Sequence, residues 1–183
     1  MKTCNDSYII TTNRLGLREL NDGDIPHLIQ MNADAEVMEF FPGIISRDDT
    51  LKHYIKIKEH FQEHGFGMYA VDTLDNGEFI GIIGLSTFEF TGLNLLGVEI
   101  GWRTMSHTWN KGYATEAAQH ICNYAFHTLH LTEITSFTAA LNKRSEHIMQ
   151  KLGMTYQRSF NHPKVPIESP LCEHVLYTKV HLC

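Results

Sequence analysis

The stretch that decides the reading of this chain is Trp109-Asn110-Lys111-Gly112-Tyr113-Ala114-Thr115-Glu116-Ala117. It is a short polar turn with one glycine. It runs into the clearest amphipathic pattern in the sequence, with Ala114, Ala117, Ala118, Ile121, Cys122, Ala125 and Leu129 at helical spacing. That pattern predicts a helix over Gly112 to Leu129 whose small residues pack closely on a sheet. A helix start leaves backbone N–H groups unpaired at the positive end of the dipole, and such an end suits a phosphate. The same residues would also make an ordinary loop-to-helix junction with Gly112 as the turn residue.

Just upstream, Leu95 to Arg103 alternates as a strand. Leu96, Val98, Ile100 and Trp102 share one face, and Leu95, Gly97, Glu99 and Gly101 the other. Two glycines beside Glu99 leave space above the strand next to a carboxylate, where a ligand fits. The plain alternative is a strand carboxylate facing water or paired with an arginine. Downstream, Glu133 to Ala139 reads as a strand. Asn142-Lys-Arg-Ser145 then opens a helix that runs to Leu152 and ends at Gly153, a glycine in the C′ position.

The rest of the chain supplies the frame. Arg14 to Leu20 alternates as a first strand, and Asn21-Asp-Gly-Asp leads into a short helix carrying Ile25, Leu28 and Ile29. Residues 36–43 form an aromatic loop. Ser46-x-x-Asp49 resembles a capping box ahead of a helix with Leu51, Tyr54, Ile55 and Phe61, stopped by Gly65. Met68 to Asp72 and Phe79 to Phe88 pair through Asp75-Asn76-Gly77. Gly92 and Asn94 mark the next turn. Thr155 to Phe160 and His174 to Val180 are the last strands, joined by the loop Asn161 to Pro170, long enough to form a binding rim. The order is βααβββαβαββ, a mixed α/β domain taken to span residues 1–183.

Bulk properties exclude several functions. At 183 residues the chain buries a real core. No apolar run approaches the ~18 residues needed to span a bilayer. The opening Met1-Lys-Thr-Cys-Asn-Asp-Ser has no apolar stretch of a secretory signal, so a cytoplasmic, non-membrane protein is expected. The four cysteines, Cys4, Cys122, Cys172 and Cys183, are scattered without a C-x-x-C, which predicts reduced thiols. The net charge of −6 and the lack of a Lys/Arg block argue against nucleic-acid binding. The acidic balance suits a cationic substrate.

Two apparent motifs fail on context. His60-Phe-Gln-Glu-His64 matches a zinc-peptidase pattern, but Gly65 follows at once and no carboxylate-bearing partner helix is evident, so no metal site is expected. Gly65-x-Gly67-x-x-Ala70 precedes a strand instead of joining a strand to a helix, so it is not a dinucleotide fingerprint.

Val98-Glu-Ile-Gly-Trp102, the Trp109 to Ala117 turn, and Asn142-x-x-Ser145 followed by Lys151-Leu-Gly-Met154 together resemble the GNAT superfamily of acetyl-CoA-dependent N-acetyltransferases, over Arg14 to about Lys179. Within it the chain looks most like the ribosomal-protein alanine and serine N-acetyltransferases. The resemblance implies a mixed, mostly antiparallel sheet with helices on both faces. It implies acetyl-CoA as cosubstrate, held by Ile100, Gly101, Trp102, the residues Trp109, Asn110, Lys111, Gly112, Tyr113, Ala114 and Thr115, and Asn142 with Ser145. Gly112 and Ala114 match two fixed positions of the family's pyrophosphate loop, while Trp109 stands where Gln or Arg is usual. Where many members carry a catalytic tyrosine this chain has Met149, which turns attention to Ser145.

Acetyl transfer from a thioester to an amine requires a neutral amine, a polarised carbonyl, a stabilised thiolate and aligned reactants. Glu99 is the candidate base, directly or through water, with Glu39 and Glu89 as lesser candidates. An α-amine, with pKa ~7.7–8.0, needs less help than a lysine at ~10.4. Ser145 is the candidate donor to the leaving thiolate; as the third residue after Asn142 it also suits a helix start. Phe40, Phe41, Pro42 and Tyr54 are expected at the acceptor entrance. The expected acceptor is a protein α-amine, on a ribosomal protein for example. A small amine (polyamine or amine antibiotic) or a noncatalytic acyl-CoA sensor are the alternatives, and a homodimer is left open.

Overall fold

The turn and cap signals divide the chain where the computed structural model, which describes residues 8–181, divides it. The elements are β1 (Ile10–Thr11), β2 (Leu15–Arg18), α1 (Ile25–Ala33), α2 (Arg47–His64), β3 (Met68–Thr73), β4 (Phe79–Phe90), β5 (Leu95–Thr104), α3 (Tyr113–His127), β6 (Glu133–Ala139), α4 (Lys143–Lys151), β7 (Thr155–Asn161) and β8 (Glu173–Val180). One strand escapes the sequence reading. The two-residue β1 pairs Ile10 with Leu17 and Thr11 with Gly16, and two residues carry no periodicity to detect.

The eight strands described form one sheet in the order β1-β2-β3-β4-β5-β6-β8-β7. Neighbours are antiparallel except β5 and β6, which run parallel. On one face α3 seats Ala117, Ala118, Ile121, Cys122 and Ala125 against Ile83, Leu85 and Ile100, all fully buried. Alanines in place of larger residues let this helix lie close to the strands. On the other face Leu28 and Met31 of α1 and Tyr54 of α2 cover Ala70, Phe79 and Ile82.

Caps fix the helix ends. Ser46 Oγ accepts from the Asp49 N–H at 3.1 Å, but the Ser46 hydroxyl donates back to the Asp49 carboxylate, so only half of the expected capping box exists. The complete box lies at Asn21, where the backbone N–H donates to Asp24 Oδ2 at 2.8 Å. Asp24 also receives both Arg18 Nη atoms at 2.7 and 2.8 Å, and Arg18 Nε reaches Asp72 at 2.7 Å. This buried cluster ties the start of α1 to β2 and β3. Gly65 and Gly153, at φ 73° and 71°, end α2 and α4 in the left-handed conformation.

The feature that makes a site is the parting of β5 from β6. Their register holds a single pair, Glu99 with Thr135. Beyond it the β5 edge from Ile100 onward loses its partner, and the sheet opens into a cleft. Cys122 and Cys172 are free and buried, while Cys4 and Cys183 lie outside the described residues. Among the described residues no helix is long and apolar enough to cross a membrane.

Candidate active site

The cleft has a volume of about 820 Å³ and draws on distant parts of the chain. Glu99 and Gly101 of β5, the Trp109 to Thr115 turn, the free end of β6, and Asn142 with Ser145 of α4 all line it. Residues more than forty positions apart in the sequence thus meet where β5 and β6 separate.

At the turn, Asn110 and Gly112 both take positive φ, 60° and 80°. Gly112 is the residue before α3, and no side chain caps that helix start. The starts of α2 and α4, by contrast, are capped by Ser46 and Asn142. Uncapped amides of α3 therefore face the cleft, the arrangement an anion requires. The turn is braced from behind. Glu116 accepts from Thr12 Oγ1 at 2.6 Å, from the Arg14 N–H at 3.0 Å and from Arg14 Nε at 2.7 Å. Arg14 Nη1 donates to the Lys111 carbonyl at 3.0 Å, and the guanidinium lies 4.7 Å from the Tyr113 ring centre. Burial pushes the Glu116 carboxyl up, but the bonds from Thr12 and Arg14 together hold it below its usual value. Neither Arg14 nor Glu116 stands out in the sequence, because their pairing spans about a hundred residues and leaves no local signal.

On the α4 side Asn142 Oδ1 caps the helix by accepting from the Ser145 N–H at 3.1 Å. Ser145 does more than sit at a helix start. Its Oγ accepts the Trp102 indole N–H at 3.0 Å, which fixes the hydroxyl and leaves its own proton to donate into the cleft. Met149, where a tyrosine was conceivable, is buried at the cleft wall.

Glu99 projects from the opposite face of β5. Among the described residues no side chain bonds to its carboxyl, and burial pushes its pKa up to about 8. A Cβ built on Gly101 would meet only Glu99 Oε1, at 3.8 Å, so the lane beside the carboxyl is open. Two residues on from Gly101 along the same face stands Arg103. Its Nη1 donates to Asn32 Oδ1 at 2.7 Å, its guanidinium lies 4.3 Å from the Phe41 ring centre, and its buried Nε has no partner. Burial lowers its pKa to about 10, which leaves it charged at neutral pH.

Other expected residues are sorted by the same geometry. Phe40, Phe41 and Pro42 line the cleft, and His162, Lys164 and Val165 of the Asn161 to Pro170 loop stand at its edge. Arg144 joins the two rims: it pairs with Glu39 and stacks on Trp109 with 4.4 Å to the ring centre. Tyr54 is not at the entrance. It is 8% exposed, in the core under α1 and α2, and its hydroxyl donates to Asp22 at 2.7 Å. A core position at helical spacing and a rim aromatic look identical in sequence. Lys111 is exposed and Ile100 fully buried, so neither side chain lines the cleft. Glu39 is engaged with Arg144, and Glu89 lies outside the cleft wall. Both ring nitrogens of His60 are used structurally, Nδ1 toward the Phe66 carbonyl and Nε2 accepting from the Thr87 N–H.

Comparison with known proteins agrees with this architecture. A family model described as an acetyltransferase (GNAT) domain matches residues 14–155. An uncharacterized N-acetyltransferase of Bacillus subtilis, YnaD, is 32% identical over 82% of this chain and 85% of its own. Among solved structures, RimL, a ribosomal L7/L12 α-N-protein acetyltransferase in complex with coenzyme A, superposes with a TM-score of 0.76 at 15% identity, covering 94% of this chain and 97% of its own. Spermidine N-acetyltransferase from Vibrio cholerae, in complex with CoA and spermine, superposes with a TM-score of 0.72 at 18% identity, over 91% and 95% of the two chains. These last two likenesses are of fold.

Proposed function

On the premise that this chain belongs to the GNAT acetyltransferase family and is an acetyl-CoA-dependent acetyltransferase, we propose that it transfers acetyl to an α-amine by direct attack within a ternary complex. The observation that carries this is the meeting of an isolated carboxyl at Glu99 and an anchored hydroxyl at Ser145 across the gap between β5 and β6. The gap is lined on one side by uncapped helix amides and closed on the other by the loop between α1 and α2, through Val37, Phe40, Phe41 and Pro42.

The residues fit acetyl-CoA. The amides at Tyr113 to Thr115 and the turn at Asn110 to Gly112 would hold its diphosphate, with Asn142 and the free β5 edge along its arm. The cosubstrate supplies an activated thioester. What the chain supplies is proton management and alignment. Glu99, with its pKa near 8, is matched to an α-ammonium at ~7.7–8.0, so moving the proton between them costs little. Above that pH the carboxylate takes the proton directly or through water. Ser145 donates a hydrogen bond to the departing sulfur; its own orientation is set by Trp102. As a weak acid, the hydroxyl lowers developing charge without surrendering its proton.

A protein N-terminus, as named for RimL, and a polyamine, as named for the spermidine enzyme, are the two acceptor kinds that the fold neighbours suggest. Arg103 and Lys164 around the cleft disfavour a polycation, while burial keeps His162 and His174 toward the neutral form, so the α-amine is preferred.

The test combines binding and turnover. Acetyl-CoA at ~100 times its Kd should stabilise the full chain by about 2.7 kcal/mol in a thermal-shift series. Free CoA should then appear when α-amines are added. Binding without CoA release from any amine would make the protein a sensor. Release only from polyamines or lysine side chains would replace the acceptor assigned here.

A further inference from the structure

Arg103 is a largely buried cation that meets no anion among the described residues. The groups that touch its guanidinium are neutral: Asn32 offers an amide oxygen, itself fixed by Nδ2 donating to Thr50 at 3.1 Å, and Phe41 offers a ring face. The Nε is withdrawn from water and bonded to nothing. Buried guanidinium groups are ordinarily matched by carboxylates, because a half-satisfied buried charge is costly. Arg18 in this same chain shows the usual solution, with Asp24 and Asp72 both on its guanidinium.

The position of Arg103 gives the missing anion a place. Its side chain lies where the large cleft meets a smaller cavity of about 330 Å³ beneath α1 and α2. Among the described residues lining that cavity the ionisable ones are Arg103, Lys56, His53, His60 and Tyr54; no carboxylate is among them. Burial holds His53 and His60 toward the neutral form, so Arg103 and Lys56 give this pocket its positive charge in a chain of net charge −6. Arg103 and Glu99 share one face of β5, four residues and about 13 Å of strand apart. Gly101 between them keeps the lane clear of any side chain.

We propose that the acceptor carries a carboxylate as well as its reacting amine, and that Arg103 receives this carboxylate while the amine lies beside Glu99. The inference rests on reading the cleft as an amine-acetylating site, and adds to it the chemistry of the acceptor. A guanidinium–carboxylate pair would be made through Nη2, since Nη1 is held by Asn32, and would fix the amine along the lane. The carboxylate has two sources: the α-carboxylate of a free amino acid, or an acidic side chain at the start of a peptide. Both present the same group to Arg103.

The experiment uses the full chain with acetyl-CoA and acceptors in matched pairs. Amino acids with one to five carbons between amine and carboxylate are set against their primary amides, and peptides beginning with Asp or Glu against those beginning with Asn or Gln. The expected result is at least a tenfold higher kcat/KM for the acid of the preferred pair. Arg103→Met should bring that ratio to within about twofold of unity, and Arg103→Lys should retain part of it. The preferred pair identifies the source. Equal rates for acids and amides in the unaltered protein would overturn the inference, whatever the variants do. The N-acetylated products serve as a second readout, since their binding needs no chemistry: the acids should raise Tm and the amides should not. Selective stabilisation by N-acetyl acids without CoA release from any amine would leave the anion site standing and remove the acetylation reading. CoA release without acid preference, and without selective stabilisation, would do the reverse.

Discussion

The two walls of the cleft are built on opposite terms. The side chains of the α3–α4 wall are satisfied, with only the backbone amides at the start of α3 left open: Glu116 is saturated by Thr12 and Arg14, Asn142 caps α4, and Ser145 receives the Trp102 indole. The wall under α1 and α2 holds two ionisable groups that are incomplete among the described residues, a carboxyl without a donor at Glu99 and a guanidinium without an anion at Arg103. A satisfied wall holds its shape before anything binds, which suits a cosubstrate common to many enzymes. An incomplete wall keeps its polar capacity for a ligand that supplies the missing partner. The difference locates generic binding on one side and selectivity on the other.

The sharpest way to break the comparison is at Glu99. Glu99→Gln should lower kcat/KM by about 100-fold or more and abolish the rise in activity expected of the wild type as pH passes through about 8. Stability should move the other way. Burial raises the folded pKa above the unfolded value, so the favourable contribution of the protonated carboxyl is complete below pH 4.5 and lost as pH rises through about 8. The glutamine variant should therefore match wild type at pH 4 and exceed it at pH 9, by on the order of 1–3 kcal/mol in urea melts. A loss of stability at pH 9 would mean that Glu99 is already paired and that the incomplete wall is complete.

Ser145→Ala strikes the satisfied wall at its one reactive member. About a tenfold fall in kcat is expected, with little change in KM for the amine. The Trp102 N–H loses its acceptor, so about 1–2 kcal/mol of stability should go as well. Undiminished turnover with lowered stability would reduce Ser145 to an anchor for Trp102.

How much of this was legible follows from how each wall is encoded. The cosubstrate wall is contiguous: the turn at Trp109 to Thr115 and the pair Asn142 and Ser145 sit within short segments whose glycine, cap and periodicity signals survive in one dimension. The strand carrying Glu99 was equally readable, because alternation alone places Gly97, Glu99 and Gly101 on one face. Arg103 lies on that same face, but what distinguishes it is the absence of an anion, and a missing contact has no sequence signature. The Arg14–Glu116 brace was invisible for a related reason, being a contact made across about a hundred residues. The parallel pairing that opens the sheet at Glu99 and Thr135 also depends on topology, which the order βααβββαβαββ constrains without fixing.

Glu116→Gln tests whether the satisfied wall needs its charge. The variant keeps the shape and should cost about 1–2 kcal/mol at pH 7, with the KM for acetyl-CoA rising a few-fold as the turn loosens. Because the folded pKa is held below the usual value of 4.5, the contribution is present above that pH and lost as pH falls. The gap between variant and wild type in thermal melts should close in acid. A gap that persisted at low pH would assign the brace to packing of Arg14 on Tyr113.

Tyr54→Phe is the smallest expected effect and separates support from contact within the incomplete wall. Tyr54 lines the smaller cavity under α1 and α2, yet its hydroxyl points to Asp22, an exposed carboxylate that water resolvates when the bond is removed. The loss should be only about 0.5–1.5 kcal/mol near neutral pH, with kcat and KM for the acceptor essentially unchanged. Burial, aided by Asp22, pushes the phenol up to about 12 from its usual 10. Its contribution is therefore complete below pH 10 and lost as pH rises toward 12, so the two proteins should converge in stability over that window. A large rise in acceptor KM would instead put the hydroxyl in contact with the substrate, and the boundary between the core of α1 and α2 and the acceptor pocket would have to be drawn one layer deeper.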